Sequence, residues 1–259
     1  MIAILLCAGF GTRMYPLTLD KPKPLLPVAG RPVLDYLLDQ LVELPGLAAI
    51  HVVTNGRFKP HFERWREKVW PILGKQGIAL ELHANGAINE DERLGALGDL
   101  AFVLNRIPRP VGALVAAGDN ILRFSLQPIW SQFRSSGTNT VIALTESDSE
   151  KLRRSGVLML DAADQVIDFQ EKPAEPLSNW LCPPFYFLNS EALIEAATFG
   201  SQTGRPDALG HLIKHLVDKM PVYAIRTKGE RIDIGDLDTY IEAANLLMEE
   251  PIILPLEEN

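Results

Sequence analysis

Short apolar runs bounded by turn residues alternate along the chain with segments in which apolar residues recur every three to four positions. The first pattern is that of strands buried on both faces, the second that of amphipathic helices laid against them. Strands are predicted near residues 2–7, 48–54, 78–83, 112–117 and 139–145. Between the first two, Pro32 stands where a helix would take its first turn, and Val33, Leu34, Leu37, Leu38, Leu41 and Val42 then repeat on one face. Residues 59–73 read as a second helix, with Phe62, Trp65 and Val69 as a core or subunit-contact stripe. After about residue 146, shorter strands at 156–160, 165–170 and 180–188 suggest an antiparallel insertion, and helices near 206–218 and 236–249 close the chain. The expected fold is α/β, a three-layer αβα arrangement around a Rossmann-like, mostly parallel mixed sheet with a small antiparallel insertion.

No Gly/Ser-rich linker interrupts the 259 residues, so one domain in two lobes is expected, about 1–145 and about 146–235, with a closing helix and tail at 236–259. The end of the chain, Pro-Ile-Ile-Leu-Pro-Leu-Glu-Glu-Asn, is too apolar for a solvated tail and reads as docking on the body or on a second subunit, which leaves a homo-oligomer open. The apolar N-terminal run has no basic region before it and is too short for a signal peptide or a membrane span, so no membrane partner is expected. No repeat of 20 to 50 residues and no hexapeptide β-helix extension is present. The balance of 25 Lys and Arg against 33 Asp and Glu gives a net charge of -8, the wrong sign for holding nucleic acid. Cys7 and Cys182 form no CxxC pair, and a reducing cytoplasm is the expected setting.

The candidate chemistry begins directly after the first strand, in Ala8-Gly9-Phe10-Gly11-Thr12-Arg13. A strand running into a glycine-rich turn lets backbone N–H groups converge on an anion, because glycine admits positive φ and places no Cβ between backbone and ligand. The segment is neither a Walker loop nor a dinucleotide fingerprint, since the third glycine is missing. It continues as Pro16-Leu17-Thr18 and Lys21-Pro22-Lys23-Pro24-Leu25-Leu26-Pro27-Val28, a proline-stiffened loop whose cations suit a polyanionic ligand.

Over residues 4–34 this sequence resembles the sugar-1-phosphate nucleotidylyltransferases, in the short form without a β-helix extension. The resemblance continues through Gly118-Asp119-Asn120 after an apolar run, Glu171-Lys172-Pro173, and Asp233-Ile234-Gly235. It implies a nucleotide-binding first lobe, a sugar-phosphate-binding second lobe, and transfer of a nucleotidyl group from a nucleoside triphosphate to a sugar 1-phosphate with release of pyrophosphate. Arg13 and Lys23 would be the catalytic cations, on the leaving β- and γ-phosphates and near the α-phosphate respectively. Leu6, Ala8, Gly9, Gly11, Thr12 and Gly95 would bind the nucleotide; Gly156, Glu171, Lys172 and Asn179 would bind the sugar phosphate. Asp119 and Asp233 would hold Mg²⁺.

A phosphate monoester has its second pKa near 6, so the acceptor is already mostly a dianion at neutral pH and needs no protein base. Gly118-Asp119-Asn120 resembles the thymidylyl- and uridylyl-transferring relatives more than the adenylyl-transferring ones, which implies dTTP or UTP as donor. Gly95 sits in Leu94-Gly95-Ala96-Leu97-Gly98, which departs from the family's base-binding segment, and Cys182-Pro183-Pro184 departs from the glycine-containing strand of the sugar pocket. A CTP-dependent phosphocholine or phosphoalcohol cytidylyltransferase and a catalytically silent, nucleotide-sensing subunit are the alternatives, with a dinucleotide-dependent oxidoreductase a distant third. His211 and His215, at i and i+4 without the zinc-peptidase glutamate, read as ordinary helix residues, and Lys151-Leu152-Arg153-Arg154 as solvated charge.

Overall fold

The computed structural model describes residues 1–204 and 208–248. Its main sheet has ten strands: β1 (Ile2–Leu6), β4 (Ala49–Thr54), β5 (Ala79–Ala84), β6 (Gly112–Ala117), β8 (Thr140–Thr145), β9 (Gly156–Leu160), β10 (Val166–Glu171), β11 (Trp180–Cys182), β12 (Phe185–Asn189) and β13 (Tyr223–Thr227). The order is β10-β9-β11-β8-β12-β6-β1-β4-β5, with β13 parallel to β8. Two small antiparallel ladders stand apart from it, β2 (Pro27–Val28) with β3 (Arg31–Pro32), and β7 (Asn120–Leu122) with β14 (Arg231–Asp233). The helices are α1 (Val33–Val42), α2 (Lys59–Lys75), α3 (Gly95–Leu104), α4 (Gln127–Ser136), α5 (Ser149–Arg153), α6 (Ser190–Gln202), α7 (Gly210–Val217) and α8 (Leu237–Met248).

Alternation along each strand divides the core into two layers. Ala3 and Leu5 face α1, α2 and α4 through Leu37, Phe62 and Trp130, whereas Ile4 on the other face meets α3, α6 and α7 through Leu100, Ala196 and Leu212. Central strands buried on both sides explain why they read as unbroken apolar runs. The aromatic stripe of α2 belongs to this core, where Phe62, Trp65 and Val69 are buried and the Trp65 indole N–H donates to Asp35 Oδ1 at 2.7 Å. A third cluster packs α8 against the proline-rich loop through Met14, Val28, Ile121, Ile234 and Ala243.

Two sequence expectations are corrected. The strand predicted over 180–188 is split into β11 and β12, because Pro183 and Pro184 cannot donate to a ladder. Its pairing with β8 slips by two residues across the break, from Leu181 opposite Leu144 to Tyr186 opposite Val141. Pro32 ends β3 ahead of α1 instead of opening the helix. The antiparallel strands β9, β10 and β11 form the expected insertion and hydrogen-bond into the main sheet. The helix expected near 206–218 runs over Gly210–Val217, and the apolar tail after residue 250 lies outside the described residues. Among the described residues, no helix is long and apolar enough to cross a membrane.

Helices α3 and α6 cross closely at Gly200, where a Cβ would overlap the Leu97 carbonyl oxygen and stand 3.0 Å from the Ala101 methyl. Gly200→Ala should therefore destabilise the fold by about 1–2 kcal/mol, overpacking outweighing the roughly 1 kcal/mol gain in helix propensity. The midpoint of urea unfolding measures this, and an unchanged or raised midpoint would contradict the crossing.

Candidate active site

The parallel strands β1, β4 and β6 all end at one sheet edge, the place where ligands collect in open α/β folds. A cavity of about 510 Å³ opens there. Its wall includes Leu6, Ala8, Gly9, Gly11, Thr12, Arg13, Lys23, Gly95, Asp119, Gly156, Glu171, Lys172 and Asp233. Asn179 is the one predicted site residue not on this wall; it is exposed, and its carbonyl accepts from the Glu146 N–H at 2.9 Å.

Local chemistry sets each position. Gly11 adopts φ +68°, and the buried Thr18 hydroxyl donates to its carbonyl at 2.7 Å, pinning the phosphate-type turn to the loop that follows. Lys23 opens a single 3-10 turn whose Pro24 and Leu25 are buried, so the lysine is fixed at its base while its ammonium reaches the cavity. Gly118 lets the end of β6 lie against β1, since a Cβ there would overlap Cys7 Sγ. Lys172 has φ +47°, a conformation costing a non-glycine residue about 1–3 kcal/mol and found disproportionately at functional sites. Its N–H donates to the Ser155 carbonyl at 3.0 Å, which holds the turn.

Asp119 and Asp233 are 114 positions apart in sequence and are joined by the β7–β14 ladder, in which Asp233 lies opposite Asn120 and the Ile234 N–H donates to the Asp119 carbonyl at 3.1 Å. Each carboxylate has a cation beside it: Lys23 pairs with Asp119, and Arg231 with Asp233 at 2.8 Å. Burial alone would raise the Asp119 pKa, but Lys23 outweighs it and holds the carboxyl below its ordinary range. Glu171 is raised by burial, against the opposing charges of Lys172, His211 and Arg231. Asn120 donates to Asp119 Oδ1 at 2.8 Å, while its own buried Oδ1 has no partner. Two carboxylates and a spare amide oxygen form a hard-donor set of the kind Mg²⁺ takes.

Arg231, Asp99, Asn120 and Arg154 line the cavity without having been singled out as site residues by the sequence. Arg154 belongs to the basic cluster read as solvated charge; Arg153 in that cluster pairs with Glu150 at 2.9 Å, and Arg154, itself exposed, lies at the cavity lining. Counting these residues, Arg13, Lys23, Arg93, Arg154, Lys172 and Arg231 face Glu90, Asp99, Asp119, Glu171 and Asp233, so a chain of net charge -8 presents a local cationic excess. No histidine lines the cavity among the described residues. His215 instead stacks on Phe199 at 3.8 Å and bonds Glu195 at 2.7 Å, docking α7 on α6.

Asp99 generates a prediction. Burial raises its pKa to about 6, partly offset by the Asn85 amide that donates to it at 2.7 Å. The folded state then holds a proton between about pH 4 and pH 6 that the unfolded chain, with an ordinary carboxyl near 3.9, has released. Through that window Asp99 makes stability fall as pH rises. Asp99→Asn should abolish this contribution, so that the variant's stability relative to wild type grows from pH 4 to pH 6 and levels off above it. Urea midpoints across that range decide it, and a pH-independent difference would contradict the assignment.

Comparison with known proteins places this geometry in a family. The nucleotidyl transferase family matches residues 2–250. The UTP–glucose-1-phosphate uridylyltransferase of Haloferax volcanii is 28% identical over 255 residues, covering 96% of this chain and 98% of the relative. The UTP–glucose-1-phosphate uridylyltransferase of Synechocystis is also 28% identical, over 94% of this chain, which spans 62% of that relative's length. A crystal structure of UDP-glucose pyrophosphorylase with UDP-glucose shares the fold, with a TM-score of 0.77 and 18% identity over 95% of this chain and 97% of that one. This chain belongs to the nucleotidyl transferase family.

Proposed function

We propose that the protein transfers a nucleotidyl group from a nucleoside triphosphate, UTP or dTTP, to a sugar 1-phosphate, forming a nucleoside-diphosphate sugar and pyrophosphate. The observation that carries this reading is the set of cations from separate segments, Arg13, Lys23, Lys172 and Arg231, around one cavity that Asp119 and Asp233 also line. Two phosphate-bearing reactants repel each other, and such an array neutralises both while aligning them. The Haloferax and Synechocystis relatives, named for UTP and glucose 1-phosphate, support the donor class.

In the reaction a sugar-phosphate oxygen bonds to the α-phosphorus as the bond to the β-phosphate oxygen breaks, and the electron pair leaves with pyrophosphate. Arg13, beside the glycine turn, would take the leaving phosphates; Lys23 would sit at the α-phosphate; Lys172, on its strained turn, would hold the acceptor phosphate. Gly156 lets the Phe169 ring pack against the backbone, since a Cβ there would overlap the ring, and Glu171 would accept from sugar hydroxyls. A Mg²⁺ ion held by Asp119 and Asp233 would supply further neutralisation of triphosphate charge. With an acceptor pKa near 6 and no cavity-lining histidine among the described residues, the nucleophile needs no protein base. The two free, buried cysteines accord with a reducing, cytoplasmic setting.

The test is a matrix of nucleoside triphosphates against sugar 1-phosphates and phosphocholine with Mg²⁺, read as pyrophosphate release. Turnover is expected with UTP or dTTP and a sugar 1-phosphate, and Asp119→Asn and Asp233→Asn should each lower it by roughly 10²-fold or more. Turnover confined to CTP and phosphocholine would replace the substrate assignment, and no turnover with any pair would contradict the enzymatic reading.

A further inference from the structure

Outside the cavity, three ligand-type side chains meet near the other end of the sheet. Strand β5 is the edge strand, and its parallel register with β4 sets Glu81 opposite His51 and His83 opposite Val53. Residues 51, 81 and 83 therefore share one face, the side on which Val53 packs with α3. None of the three lines the cavity or has a part in the proposed chemistry.

Their geometry is specific. His51 Nδ1 lies 3.0 Å from His83 Nε2, and one carboxylate oxygen of Glu81 lies 3.5 Å from the first and 3.7 Å from the second. The point equidistant from the three atoms of that triangle is about 2.0 Å from each, which is the ordinary length of a zinc bond to imidazole nitrogen or carboxylate oxygen. Burial lowers the pKa of both histidines; Glu81 opposes this, and Arg106 adds to the lowering at His83. Neutral imidazoles keep the lone pairs a metal requires.

We propose that His51, Glu81 and His83 bind one divalent transition-metal ion of the Zn²⁺ class, clamping the edge strand β5 to β4. Two imidazoles and one carboxylate suit Zn²⁺ better than Mg²⁺, which distinguishes this site from the all-oxygen set at Asp119 and Asp233. His51 is buried and His83 nearly so, while Glu81 is exposed, so the ion enters from the Glu81 side and water completes four-coordination there. The inference stands on strand register and donor geometry and does not depend on which nucleotide or sugar the cavity takes.

The test is equilibrium titration of the metal-stripped full-length protein with Zn²⁺ in saturating Mg²⁺, alongside thermal unfolding. One tight Zn²⁺ per chain is expected, unchanged in Asp119→Asn. His83→Gln and Glu81→Gln should each weaken it by about 10²-fold or more, beyond the usual effect of losing an outer-shell partner. Wild type at a hundredfold excess over Kd should gain about 5 °C or more in Tm, a gain absent from both variants. Both substitutions lie at the sheet edge, and their metal-free unfolding transitions report whether they fold. No Zn²⁺ binding, or binding that persists in His83→Gln and Glu81→Gln or is lost in Asp119→Asn, overturns the proposal.

Discussion

The ion pair between Lys23 and Asp119 is the contact on which the cavity depends. It joins the proline-stiffened loop after β1 to the end of β6, both of which pack in the core layer under α1. Without the lysine, Asp119 would be a partly buried carboxylate pushed towards its neutral form; with it, the charge is retained. Lys23 in turn is held by buried neighbours, so the pair has little freedom to swing out to water. From Asp119 the order propagates along the β7–β14 ladder to Asp233 and Arg231, a second carboxylate with a second cation.

Around this pair, the surface shows how a net acidic chain can bind polyanions. Cations from the first loop, the end of α5, the turn at Lys172 and β14 converge on a single cavity, where they slightly outnumber the acidic residues although the chain as a whole is acidic. Local arrangement, more than global charge, decides what binds.

The parallel strands were legible because burial on both faces leaves an unbroken apolar run, and β9 was legible for the same reason. The glycine turn was legible from its own composition, whereas Lys23, Asp119, Lys172 and Asp233 were singled out by the resemblance of their motifs to the sugar-1-phosphate nucleotidylyltransferases, and all four line the cavity. Asp99 was not, since it lies inside a helix apolar on nearly every side, with no stripe to mark either the helix or the carboxylate. Arg231 was hidden by its context, a strand alternating polar and apolar residues in which an arginine ordinarily faces solvent, and only the pairing of β14 with β7 brings it to the cavity. The break between β11 and β12 was written in Pro183 and Pro184, but its effect on register appears only against β8.

The central claim is that Lys23 and Asp119 act as one unit fastening the loop to the sheet. A double-mutant cycle of Lys23→Met and Asp119→Asn, read as unfolding free energy at pH 7, tests it most directly. The account predicts a coupling energy of roughly 0.5–3 kcal/mol, with the double variant losing less than the two single losses together. Single losses that add to within about 0.5 kcal/mol would show the two residues to be independent and contradict the account.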